Sequence, residues 1–179
     1  MIPGAASWPS RNSGALQNSE PECPPEANDA SLEAQRSALI DRCIQLHQKG
    51  AIITLMWHSA RPGNGDTVGD GDLWIDKPYP EEAWERLFDT ASPQHADWID
   101  QVNRIAAYLK RLQAAKVPVL WRPYHEMNGG WFWWGAKPGP SGYQKMWKML
   151  YDRYTHLHKL NNLIWVWNAN ALRNKNIGA

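Results

Sequence analysis

An α/β fold with a parallel sheet is predicted by the alternation of helical and strand patterns along this 179-residue chain. Segments with a helical period of apolar residues precede three short, nearly continuous apolar runs, at 51–57, 117–122 and 163–167. Alternation of this kind is typical of right-handed strand–helix–strand units. Because the runs are nearly continuous in apolar residues, we expect strands that are buried on both faces, as in a parallel sheet.

The residues that follow the predicted strands favour a (β/α)8 barrel, or TIM barrel, among the parallel folds. Polar side chains stand just beyond each strand: His58, His125, Glu126, Asn168 and Asn170. Barrel enzymes place their sites at these carboxyl ends. A doubly wound nucleotide-binding sheet would need a G-x-G-x-x-G turn after a strand, and none of the three strands has one. A complete barrel takes about 200–250 residues, so we expect only a central fragment of one.

The N-terminal half is assigned in chain order. Residues 1–28 are rich in Pro, Ser, Asn, Gly and Glu without a period, which predicts an irregular arm. A helix is predicted from Asp29, with Gly50 as its C-terminal cap. Its apolar positions are Leu32, Leu39, Cys43 and Leu46. After the first strand, residues 58–91 form a long irregular stretch with a short helix near 81–88, and loops of this length tend to be functional.

Two further helices are predicted in the C-terminal half. Ser92 can cap the first of them and Pro93 suits its first turn. Its apolar stripe consists of Trp98, Val102, Ile105, Leu109 and Leu112. The other helix is predicted at 142–159, between the second and third strands. Its inward-facing residues are predicted to be Tyr143, Trp147, Leu150, Tyr154 and Leu157.

Composition limits the classes of partner. A net charge of +1 gives no reason to expect nucleic acid or an anionic membrane. No apolar stretch reaches the ~18 residues of a membrane helix, and no signal peptide is recognised at the start. The 12 tryptophans favour a carbohydrate site. Cys23 and Cys43 lack C-x-x-C spacing, and we expect two unrelated thiols rather than a disulfide.

The most informative segment is 121–135, which reads W-R-P-Y-H-E-M-N-G-G-W-F-W-W-G. It places a carboxylate just past a strand and beside aromatic rings. A carboxylic acid there can protonate a glycosidic oxygen, and the carboxylate can then activate water. Aromatic faces cover the apolar faces of sugar rings. The nearby histidines lack H-E-x-x-H spacing, so no metal is expected.

This segment resembles the signature of glycoside hydrolase family 26, the β-mannanase family of clan A, whose pattern is close to R-P-[FY]-H-E-M-N-G-x-W-F-W-W-G. The likeness extends over about residues 50–168. It implies that the three predicted strands are about the third, fourth and fifth of eight, and that residues 29–179 form a partial catalytic barrel. It also implies that Glu126 is the general acid/base.

The resemblance implies further substrate-binding residues. His58, in a Trp-His dipeptide, would line the subsite next to the scissile bond, and His125 would bind a carboxylate or a sugar hydroxyl. Asn128 would either hold the loop in shape or contact a sugar. Phe132 and Trp133 would face the barrel or the next helix. The expected aromatic contacts to sugar are Trp131 and Trp134 as stacking platforms, and Trp167, beside Asn168, at the cleft floor. Trp74, in the long loop, would either stack on a sugar at a remote subsite or simply pack against the protein.

The activity that the resemblance implies is endo-hydrolysis of β-1,4-mannosidic bonds in mannan, galactomannan or glucomannan, with retention and without a cofactor. Retaining enzymes need a second carboxylate about 5–5.5 Å from the first. In the family this is a Glu after the seventh strand, and no other Glu in this chain ends a predicted strand. We therefore expect the chain alone to be inactive, and the full-length protein to be monomeric and secreted or at the cell surface. Two alternatives remain: activity on mixed-linkage β-glucan or β-1,3-xylan, and a carbohydrate-binding remnant without chemistry.

Overall fold

The computed structural model describes residues 6–7, 32–63 and 79–170, and its centre is a four-stranded parallel sheet. The strands are β1 (Ala6–Ser7), β2 (Ile53–Trp57), β3 (Val119–Pro123) and β4 (Leu163–Trp165), in that order across the sheet. The helices are α1 (Leu32–Gln48), α2 (Glu81–Arg86), α3 (Pro93–Ala114) and α4 (Tyr143–Asp152), and a π-helical turn, Arg153–Leu157, extends α4. The predicted parallel α/β arrangement is therefore present, as one part of a sheet.

The strands are buried on one face only, so the prediction of burial on both faces is wrong for β2 and β3. Burial alternates along each of them. The residues Ile53, Leu55, Trp57, Val119 and Trp121 belong to the same core as the apolar faces of α1 and α3. The register aligns Thr54, Leu120 and Ile164 in one row. This row lies on the opposite face of the sheet, which the described helices leave partly or largely open.

The ends of α1 and α3 follow the sequence signals. The Ser92 hydroxyl accepts a hydrogen bond from the His95 amide at 3.0 Å, and Pro93 is the first residue of α3. All five residues of the predicted α3 stripe are buried. Gly50 has a φ of 91°, and its amide donates to the His47 carbonyl at 2.8 Å. The predicted N-cap and C-cap are both confirmed.

The last turn after α4 corrects one predicted core position. Tyr143, Leu150 and Tyr154 are buried, but Leu157 is 59% exposed. The helix changes to π geometry at Arg153. A π turn is wider than an α turn, with i→i+5 hydrogen bonds, so it rotates the following side chains around the helix axis. An α-helical period extrapolated to position 157 therefore points to the wrong face.

The N-terminal arm is not irregular throughout. Ala6 pairs with Leu55 and Ser7 with Met56, in parallel, along the edge of β2. Backbone pairing to an existing strand edge needs no side-chain period, so composition could not reveal it.

Cys43 is buried, and burial raises the pKa of its thiol to about 11. Cys23 lies outside the described residues, so the expectation that Cys23 and Cys43 form no disulfide stays a prediction. Among the helices of the described ranges, none combines the length and apolarity needed to span a bilayer.

Candidate active site

The site lies where the carboxyl ends of β2, β3 and β4 meet. The His58 and His125 rings are 4.6 Å apart between centroids, in an edge-on arrangement. The Glu126 amide donates to the Asn168 carbonyl at 2.7 Å. The Arg122 Nε donates to the Asn168 Oδ1 at 2.5 Å. Parallel pairing thus brings together side chains that are separated by up to 110 positions, because all three strands end at the same edge of the sheet.

Glu126 is half-buried at this carboxyl end of the sheet. Its backbone is in the left-handed region, with a φ of 56°, and Tyr124 has a φ of 48°. Non-glycine residues pay on the order of 1–2 kcal/mol for such a conformation. The Trp131 Nε1 donates a hydrogen bond of 2.8 Å to the Glu126 Oε2. One carboxylate oxygen is therefore held by an indole.

Asn128 fixes the loop that follows. Its Nδ2 donates to the Asn170 carbonyl at 3.1 Å, and its Oδ1 accepts from the Asn170 amide at 2.8 Å. These two bonds tie the loop after β3 to the segment after β4. Of the two roles expected for Asn128, they support the one that holds the loop in shape.

Trp134 does not present a face to sugar, so its prediction as a stacking platform is wrong. Its side chain is fully buried and stacks on Phe132, with centroids 4.4 Å apart and planes 15° apart. Its Nε1 donates to the His125 carbonyl at 2.9 Å. A large ring with one polar atom is well placed in a core when that atom finds a partner, and here the partner is the backbone of the site.

The other two rings of the loop lie inward, as predicted. Phe132 is buried and contacts the rings of His58 and His125. Trp133 is buried against Tyr79, and its Nε1 donates to the Ser59 carbonyl at 3.0 Å. These contacts connect the aromatic loop to the segment after β2.

Two predicted aromatic contacts keep exposed surface. Trp131 is partly exposed, and Trp167 is 52% exposed while its ring meets Tyr143 and Trp147 edge-on. Both follow strand ends on the site's side of the sheet. The third candidate, Trp74, lies outside the described residues.

The two histidines are neutral at neutral pH. Burial and, to a lesser extent, the neighbouring His125 lower the pKa of His58 to about 4, although the Glu126 carboxylate opposes the shift. Burial and the positive Arg122 lower the pKa of His125 to about 4. The buried Nδ1 of His125 has no hydrogen-bond partner among the described residues. Neutral imidazoles can donate and accept hydrogen bonds to hydroxyl groups without adding charge to the site.

Sequence reasoning did not single out Tyr124, although it is the residue between the strand and the His-Glu pair. Its fully buried hydroxyl accepts from the Trp98 Nε1 at 2.8 Å, and its carbonyl accepts from the Tyr143 hydroxyl at 3.0 Å. Its position directly after the strand was the sequence signal that could have identified it.

No group of three or more His, Cys, Asp or Glu residues that could hold a metal ion occurs in the described ranges.

Comparison with known families gives one match over most of the chain. The model of glycosyl hydrolase family 26 matches residues 28–178. A mannan endo-1,4-beta-mannosidase of Thermothelomyces thermophilus is 40% identical over 135 residues, which are 73% of this chain and 27% of that protein. Mannan endo-1,4-beta-mannosidase B of Piromyces sp is 35% identical over 151 residues, 80% of this chain and 24% of that protein. The chain thus spans about a quarter of these relatives.

Solved structures of the family show the same local fold. GH26A from Muricauda sp. MAR_2010_75 superposes with a TM-score of 0.73 at 43% identity, over 78% of this chain and 45% of that one. The Bacillus subtilis mannanase man26 superposes with a TM-score of 0.68 at 27% identity, over 77% of this chain and 42% of that one. Because the family match covers most of the sequence and the fold agrees over the same region, this chain belongs to glycosyl hydrolase family 26.

Proposed function

We propose that this chain carries the acid/base part of a retaining endo-β-1,4-mannanase site. Glu126 protonates the glycosidic oxygen of mannan, galactomannan or glucomannan, and later deprotonates the water that opens the glycosyl-enzyme. The observation that carries the proposal is the half-buried Glu126 carboxylate after β3, held at one oxygen by Trp131. The relatives named mannan endo-1,4-beta-mannosidases support the choice of substrate.

The indole contact determines which oxygen transfers the proton. An indole N–H is a donor only, and the carbonyl oxygen of a carboxylic acid accepts better than its hydroxyl oxygen, so the contact with Trp131 favours an unprotonated Oε2. The acidic proton is then carried by Oε1. We expect Oε1 to face the leaving-group oxygen, which fixes the direction of proton transfer.

The mechanism also needs a second carboxylate, the nucleophile. The segments that follow the three longer strands, 58–63, 124–128 and 166–170, contain no other Asp or Glu. A retaining site needs the nucleophile about 5–5.5 Å from the acid/base. The proposal therefore places the nucleophile in a part of the enzyme outside those segments, on an eight-stranded barrel of which β2–β4 form one side.

The sugar contacts follow from exposure and charge. The partly exposed Trp131 and Trp167 offer ring edges or faces to pyranose rings. His58 and His125, both neutral, bind hydroxyl groups next to the scissile bond. The Nδ1 of His125, which has no hydrogen-bond partner among the described residues, supports this role. Secretion and a monomeric full-length enzyme belong to the same proposal, and mixed-linkage β-glucan and β-1,3-xylan are the competing substrates.

The test supplies the second carboxylate by means of a chimera. Residues 28–178 replace the matching segment of the Thermothelomyces thermophilus mannosidase, and reducing-sugar release is measured on galactomannan, mixed-linkage β-glucan and β-1,3-xylan. We expect hydrolysis of galactomannan that Glu126→Gln lowers by about 10²–10⁴-fold. The matched control, Glu85→Gln on the exposed face of α2, leaves the rate unchanged.

Two further measurements separate the alternatives. With an aryl mannoside whose leaving group needs no protonation, Glu126→Ala should retain the first step, and azide should restore turnover by replacing activated water. Full activity of the Glu126→Gln chimera would contradict the acid/base role. Saturable binding of manno-oligosaccharides by the 179-residue chain, together with an inactive but folded chimera, would favour a carbohydrate-binding function instead.

A further inference from the structure

Gly129 lies directly under the indole that holds Glu126. A Cβ atom at position 129 would be 2.2–2.4 Å from the Cη2, Cζ2 and Cζ3 atoms of Trp131, which is closer than real Cβ contacts come. Three atoms of the six-membered ring at nearly equal distance mean that the ring covers the Gly129 Cα. Glycine is therefore required at position 129 because the indole leaves no space for a side chain.

The position of Gly129 is itself fixed by its neighbours. Its amide donates to the Glu126 carbonyl at 3.0 Å. Its carbonyl packs on Gly135, where a Cβ atom would come within 2.0 Å of the Gly129 oxygen. The Ala136 amide donates to the Met127 carbonyl at 2.9 Å and closes the loop. Because the loop is tied at both ends, it cannot move aside for a side chain at 129, and the indole of Trp131 must move instead.

We propose that Gly129 is a positioning residue for Glu126 that acts through Trp131. The missing side chain lets the indole lie on the loop backbone with its Nε1 2.8 Å from the Glu126 Oε2. Any side chain at 129 lifts the ring, breaks this hydrogen bond and lets the carboxyl group rotate. The catalytic meaning of this role rests on the proposed function, whereas the coupling between Gly129, Trp131 and Glu126 does not.

The coupling is tested on the 179-residue chain by NMR of the tryptophan indole N–H groups. Trp131→Phe identifies the Trp131 signal. In the unsubstituted chain this signal should shift when Glu126→Gln is introduced and when Glu126→Ala is introduced. In Gly129→Ala both responses should be lost, and the indole proton should exchange with solvent about tenfold faster or more, since a charge-assisted hydrogen bond is gone.

The matched control is Gly130→Ala, which adds the same methyl group at the exposed neighbouring glycine. It should leave both responses intact. Unchanged responses in Gly129→Ala, or their loss in both variants, would overturn the proposal. If Gly129→Ala prevents folding, the double variant Gly129→Ala/Trp131→Ala should fold again, because the clashing ring is removed. Failure of the double variant to fold would also overturn it.

The catalytic consequence is measured in the chimera described above. Gly129→Ala should lower kcat on galactomannan with little change in KM, and should cause no further loss when Trp131 is already Ala. An equal loss of kcat in both backgrounds would contradict action through Trp131. If the chimera hydrolyses no mannan while the indole responses behave as expected, the proposed function fails and the coupling stands.

Discussion

The residues on either side of His125 have left-handed backbones, and their side chains lie in different environments. Tyr124 and Glu126 have φ values of 48° and 56°. The strained backbone sends the Tyr124 ring into the core, where its hydroxyl binds Trp98, and leaves Glu126 at the cleft. The core contacts of Tyr124 offset part of the backbone cost of this turn. The backbone strain at this point is thus tied to the placement of Glu126, the proposed acid/base.

Acidification is expected to destabilise the protein through His58 and His125. Their folded-state pKa values are about 4, against 6.5 for an unperturbed histidine. Between these values the unfolded chain binds more protons than the folded chain, so the free energy of unfolding falls as the pH drops from 6.5 towards 4. Between pH 7 and pH 5 the expected loss is a few kcal/mol, since one pKa unit corresponds to about 1.4 kcal/mol.

This prediction is checked by urea unfolding at pH 7 and pH 5. The loss of stability between the two should be smaller in the double variant His58→Gln/His125→Gln, which removes both buried imidazoles. The charged groups that face the pair, Arg122 and Glu126, stay in place. An identical loss in both proteins would mean that other groups cause the acid sensitivity.

At the residue scale, the positions of His58, His125 and Glu126 just after two strands predicted that they lie close together, but the sequence did not predict the orientation of the aromatic loop. Trp134 was expected at the surface and lies in the core. Three of the four successive rings are indoles, and which one is partly exposed depends on where each N–H finds a partner. The partners of Trp133 and Trp134 are the backbone carbonyls of Ser59 and His125. Such contacts depend on tertiary structure, which the pattern of the loop does not encode.

At the level of elements, α1 and α3 end in the same motif with different residues at the left-handed position. After α1 this residue is Gly50, with a φ of 91°, and after α3 it is Lys116, with a φ of 57°. In both, the left-handed amide and the next one donate to carbonyls of the last turn, as in a Schellman motif. A lysine carries the Cβ penalty at this position and glycine does not.

Lys116→Gly is therefore expected to stabilise the protein by about 0.5–1 kcal/mol, the left-handed penalty less the extra entropy of an unfolded glycine. Gly50→Ala should destabilise it by about 1 kcal/mol, although a Cβ there would have no atom of the described residues within 4 Å. The control is Lys110→Gly, the same change at an exposed position inside α3, which should cost about 1 kcal/mol. Urea unfolding at low protein concentration measures all three. A loss of stability in Lys116→Gly would contradict the assignment of strain to this residue.

Elements with a long, regular period were predictable, and irregular ones were not. The α3 stripe and its Ser92 cap followed from spacing and capping chemistry. The π turn at 153–157 could not be predicted, because it changes the helical period and no residue type in the segment indicates such a change. The pairing of Ala6 with Leu55 also escaped, since two residues carry no period and the bond is made by backbone groups.

For the whole molecule, the described sheet has one open face and two open edges. The strand β1 pairs only with β2, and β4 only with β3, among the described strands. Ile164, in the centre of β4, is 55% exposed, in register with Leu120. An edge strand with an exposed apolar side chain is a template for association with another chain. The 179-residue chain is therefore expected to self-associate and to lack a sharp, reversible thermal transition as a monomer.

Ile164→Lys tests the role of this edge, because a charge on an edge strand opposes pairing with a second chain. Sedimentation velocity over a range of concentrations should show a shift towards monomer in this variant. Leu157→Lys is the matched control: Leu157 is 59% exposed but lies on the π turn, away from the sheet. Both changes should alter the free energy of unfolding by about 0.5 kcal/mol or less, as exposed positions do. Equal suppression of association by the two lysines would show that total charge, and not the β4 edge, controls it. If the unsubstituted chain is monomeric at every concentration, the open face and edges of the sheet do not cause self-association.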